Sequence, residues 1–138
     1  TTALIVHTPK LMEVGGPADI VYILGYKSKR LVQVNIDWGA GVGKNFKPKE
    51  VVSVANLLRK HFTKKRYKEG YTVNAKLNDT TMIVFRGRDE KGRMIFLRLK
   101  TPKAEEGEKP IEARKNVSLV LSYMLEPDTP DVFKAKGK

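Results

Sequence analysis

The chain has 138 residues, 41% of them apolar, which is enough for one domain with a buried core and too apolar for a disordered polymer. Its formal net charge is +12, from 19 lysines and 8 arginines against 15 acids, which favours anionic partners (nucleic acid, anionic lipid, a polyanionic glycan or an acidic protein), the alternative being a solvated basic surface. The absence of cysteine excludes disulfides, thiolate metal sites and a cysteine nucleophile, and no apolar run reaches the roughly 18 residues of a helical membrane span.

Residues 3–7 (ALIVH) predict a short apolar strand, stopped by Thr8-Pro9. Residues 10–19 contain Gly15-Gly16-Pro17 and read as a loop. Residues 20–26 (IVYILGY) and 31–38 (LVQVNIDW) form a predicted hairpin across the polar turn 27–30. In its second strand Val32, Val34, Ile36 and Trp38 share one face, and Leu31, Gln33, Asn35 and Asp37 share the other. Such alternation suits a sheet packed on one side only.

A glycine loop, residues 39–45, leads into the chain's one convincing helix, residues 48–65. Pro48 suits a first turn, where its missing N–H costs nothing. Val51, Val54, Ala55, Leu58 and Phe62 recur at helical spacing and form one apolar stripe. Arg59, Lys60, Lys64, Lys65, Arg66 and Lys68 crowd the C-terminal end, where cations meet the negative end of the helix dipole; Gly70 is a stop signal.

Residues 71–77 predict a further strand. Residues 81–88 and 93–100 predict a mid-sheet hairpin turned by Asp89-Glu90-Lys91-Gly92, with Gly92 placed for positive φ. Residues 101–115 read as a long charged mobile loop and 116–125 as the last strand. The expected architecture is an α+β domain over residues 1–125: a mainly antiparallel, twisted sheet of about six strands packed on one amphipathic helix. A half-barrel curled around the helix is the alternative. Residues 126–138 read as an extended basic tail, with Val132 and Phe133 the expected docking residues. The sequence leaves open which sheet face carries Arg86, Arg88, Arg98 and Lys100.

No motif reaches a specific catalytic signature. The glycine loop lies between a strand and a helix and holds Gly43-Lys44, as a phosphate-binding loop does. Trp38 nevertheless stands where that motif needs its first glycine, and Asn45 where it needs a hydroxyl. Lys44 likewise occupies the last glycine position of the dinucleotide pattern. A weak anion contact at this loop is the remaining expectation. His7 and His61 lack the local clustering of metal ligands, and His61 beside Phe62 reads as a partly buried structural residue. Asp37 could meet Asp79 or Asp89 in space as a carboxylate pair.

Three functions follow, in order of preference. The first is a non-enzymatic basic interaction domain without cofactor or metal, binding an acidic protein, envelope component or other anionic partner. Its contacts would come from Arg59, Lys60, Lys64, Lys65, Arg66, Lys68, Arg86 and Arg98. Its start at Thr1-Thr2 reads as a mature periplasmic or secreted protein or a trimmed piece of a longer one. The second is a cytoplasmic nucleic-acid-binding protein in which the same basic helix end grips phosphates, with Tyr67 and Tyr71 interleaved for stacking. The third is a hydrolase built on Asp37.

Overall fold

The computed structural model describes residues 2–65, 67, 72–109 and 114–127. These residues form an α+β fold with one helix and one open antiparallel sheet of seven strands, against about six expected. The strands are β1 (Thr2–Thr8), β2 (Ala18–Leu24), β3 (Leu31–Gly39), β4 (Thr72–Lys76), β5 (Thr81–Arg88), β6 (Met94–Lys100) and β7 (Ser118–Met124). The helix α1 (Pro48–Lys64) joins β3 to β4, and a single 3-10 turn (Arg114–Asn116) precedes β7. The order across the sheet is β1-β2-β3-β7-β6-β5-β4, so β5 and β6 lie inside it and β1 and β4 are its edges. The C-terminal tail from residue 128 on, Val132 and Phe133 included, lies outside the described residues.

Register turns the alternation of single strands into two continuous faces. Ile36, Leu121, Leu97, Phe85 and Val73 are opposed from strand to strand, and Trp38, Leu119 and Leu99 make the neighbouring row. The helix lies over these rows, against β3, β5, β6 and β7. Its buried residues are Val51, Val54, Ala55 and Phe62, four of the five positions of the expected stripe, while Leu58 is half-buried against the same core. Phe62 stacks on Phe85 with ring centroids 5.5 Å apart, and Trp38, Phe85, Leu97 and Leu119 are almost fully buried. Burial of each such side chain is worth roughly 1.5–3 kcal/mol, so this face holds the domain together. The loop before β2 takes part as well, since Met12 and Val14 pack on the core.

Local chemistry sets the connections. Pro48 begins the helix at its first turn, as its sequence position implies. In the β5–β6 turn the Asp89 carboxylate accepts from the amides of Lys91 and Arg93 and, at 2.7 Å, from Arg93 Nε. Gly92 adopts φ +77° there, a conformation that costs glycine little. Gly39 ends β3 at φ +86°, where a Cβ would collide with the Val117 carbonyl oxygen. That close approach lets Ala40 N–H reach the same oxygen at 3.0 Å and ties the loop to the start of β7.

Candidate functional site

The second face of the sheet has no helix on it among the described residues and mixes polar groups with apolar ones such as Val21, Ile83 and Met94. One cross-strand row runs His7, Asp19, Asp37, Val120 and Arg98. The next runs Ile5, Val21, Asn35, Ser122, Phe96 and Arg86. Arg88 and Lys100 project from the same face of β5 and β6, because they are two residues along from Arg86 and Arg98. The face therefore has an acidic side on β2–β3 and a basic side on β5–β6.

On the acidic side, His7 Nδ1 and Asp19 Oδ1 stand 2.7 Å apart. Asp37 follows directly across the β2–β3 ladder. Burial pushes the Asp37 carboxyl above its ordinary value, the nearby Asp19 charge adds to that, and Arg98 opposes it. Gln33 donates to Asn35 at 2.8 Å. His7 also lines an open cavity of about 170 Å³ beside the glycine loop, with Pro17, Lys44, Asn45 and Phe46 among its walls. That is below the usual ~300–1,000 Å³ of small-molecule sites.

On the basic side, Arg98 donates from Nη2 to Ser122 Oγ at 3.4 Å, and its guanidinium carbon lies 5.0 Å from the Phe96 ring centroid. Ser122 is 1% exposed. The Nε atoms of Arg86 and Arg98 are both buried without a hydrogen-bond partner. An unsatisfied buried donor costs about 1–3 kcal/mol, more when charged. The inner ends of these two arginines are packed against the sheet in spite of that cost, unlike solvated surface lysines.

The basic residues expected to act together are divided between opposite surfaces. Lys60, Lys64 and Lys65 are exposed and Arg59 is half-exposed on the helix, on one side of the sheet. Arg86 and Arg98 lie on the other. Arg66, Lys68 and Tyr71 lie outside the described residues. Tyr67 is not a stacking platform: it is half-buried edge-to-face on Phe85, with centroids 5.3 Å apart. His61 is exposed rather than partly buried, and only its ring edge meets Phe62. Asp37 neighbours Asp19 and not the expected partners, because Asp79 sits in the β4–β5 turn with Lys76 and Lys103, and Asp89 is held by Arg93.

His7, Asp19 and Ser122 escaped the sequence reading as site residues. Their signal was register, which places residues from distant strands in one row. Among the described residues no group of three or more His, Cys, Asp or Glu could hold a metal ion, and no helix is long and apolar enough to cross a membrane. No family model, curated protein or solved structure matches the chain.

Proposed function

We propose that the protein is a non-enzymatic binding domain for an acidic protein segment, gripped on the open sheet face by Arg86 and Arg98. The observation that supports this reading is the pair of arginines whose Nε atoms are buried and unpaired beside Phe96. A guanidinium fixed in place loses less entropy on meeting a carboxylate than a free lysine does, and it can bind bidentately. Asp19 and Asp37 on the same face repel an acidic segment from the β2–β3 side and steer it towards β5–β6.

The test is titration of the full chain with a labelled poly-glutamate peptide across a salt series, with single- and double-stranded oligonucleotides in parallel. Peptide binding should weaken with salt and fall about tenfold or more in Arg98→Gln and Arg86→Gln, the loss expected when a charged hydrogen bond disappears. Unchanged affinity in both variants would overturn the reading. Oligonucleotide binding that depends on Lys60, Lys64 and Lys65 would transfer the function to the helix surface. Those lysines have no acidic partner among the described residues, which is the observation favouring that second reading.

A further inference from the structure

The two edges of the sheet are built differently. β4 is five residues long, carries Lys76, and is kinked at Asn74, whose φ of +50° lies in the left-handed region. Val73 and Ala75 pair with β5 on either side of that kink, so the edge is interrupted. Short length, an edge lysine and a kink are the devices that keep sheet edges from pairing with other chains. β1 has none of them. It is seven residues long, free of proline and of formal charge apart from His7, and paired to β2 without a register shift. Leu4, Ile5 and Val6 are 56%, 67% and 50% exposed.

We propose that β1 is a homodimer interface, in which two copies pair β1 with β1 antiparallel about a two-fold axis at Ile5. In a chain of net charge +12, two copies repel over most of their surface, and this uncharged strand is where they repel least. An acidic partner would gain nothing from it. The strand is also self-complementary. Centred on Ile5, Leu4 meets the second copy's Val6 and Ala3 meets its His7, and each pair shares a face because side chains alternate. Ile5 meets its own copy. An axis perpendicular to the sheet continues it from seven strands to a doubled sheet and keeps corresponding faces on the same side. The arginines of both copies then face the same way, so a long acidic segment could engage two sites. A strand-edge contact belongs to the small interface class, below about 1,200 Å², so the dimer depends on concentration.

Sedimentation velocity on the full chain over a concentration series tests this. The mass should double as concentration rises. Ile5→Lys places two ammonium groups opposite each other and should raise the dissociation constant about tenfold or more. Its melting temperature should stay unchanged at concentrations where the parent chain is monomeric, because Ile5 is already two-thirds exposed. The chain has no native cysteine, so Ile5→Cys should oxidise to a disulfide-linked dimer while Lys76→Cys on the opposite edge should not. A chain that stays monomeric into the millimolar range overturns the proposal. So does a dimer that ignores Ile5→Lys, or one that cross-links through Lys76→Cys and not Ile5→Cys; either points to a different surface.

Discussion

The two faces of the sheet are made from the same strands and carry different side chains. On the helix side, residues of β3, β7, β6 and β5 meet in rows of Ile36, Leu121, Leu97 and Phe85, and the helix closes over them. One residue further along each strand, the other side presents Asp37, Val120 and Arg98. A slip of one residue in any strand would exchange the two sets. Stability should therefore reside mainly on the covered face, the exposed positions of the open face should tolerate change, and, if the proposed function holds, binding should depend on them.

Phe85 and Phe96 give the sharpest way to break that comparison, because both are phenylalanines inside the sheet and face opposite ways. Phe85 is fully buried and touches Phe62 and Tyr67. Phe85→Ala should cost about 3–5 kcal/mol, enough to unfold much of the population of a marginal domain. Phe96 is half-exposed under Arg98, and Phe96→Ala should cost roughly 1 kcal/mol while weakening peptide binding. Urea unfolding of the two variants measures the contrast. Equal losses would show that the open face is a second core.

Gly39 ranks next. It ends β3 where the two faces meet the glycine loop, at positive φ and against the Val117 carbonyl. Gly39→Ala should lose about 1–3 kcal/mol from backbone strain and the forced shift of β7. Gly41 and Gly43 in the same loop have open space around an added Cβ and no left-handed φ, so Gly41→Ala should stay within about 0.5 kcal/mol. Thermal melts decide it; equal effects would mean that the loop, and not the β3–β7 junction, is the constrained element.

Much of this architecture could be read from residue order. The period-two pattern of Val32, Val34, Ile36 and Trp38 identified the covered face of β3, and the spacing of Val51, Val54, Ala55 and Phe62 identified the buried stripe of the helix. Both signals are local, because a strand or helix buries one side of itself. The candidate site was less legible because it is a product of register. Asp37 was visible on the more polar face of an alternating strand, but its neighbours come from β2 and β6, and only strand pairing brings Asp19 and Arg98 to it. Arg86 and Arg98 could be identified as cations, yet their separation from the helix lysines follows from the sheet lying between them. Tyr67 was misread for a related reason: its basic neighbours suggested an exposed stacking ring, while tertiary packing buried it on Phe85.

The smallest effect concerns two aspartates whose shifts have opposite signs. Burial raises the Asp37 carboxyl above 3.8, with Asp19 adding to it. Between 3.8 and the raised value the folded state binds more protons than the unfolded state, so stability falls as pH rises through that window. The penalty is full above it and absent below 3.8. Asp89 is the reverse. Partial burial pushes its carboxyl up, but hydrogen bonds from the Arg93 and Lys91 amides and the Arg93 side chain outweigh that and hold it below 3.8. Its contribution is full above 3.8 and disappears as pH falls through the lowered value. Asp37→Asn should accordingly stabilise the protein near neutral pH, and Asp89→Asn should destabilise it. Both differences should vanish in acid, below the lower of each residue's two values. Urea unfolding at about pH 7 and at successively lower pH checks the signs. A destabilised Asp37→Asn at neutral pH would mean that the Arg98 attraction exceeds the cost of burial, and that the acidic and basic sides of the open face are joined into one ionic network.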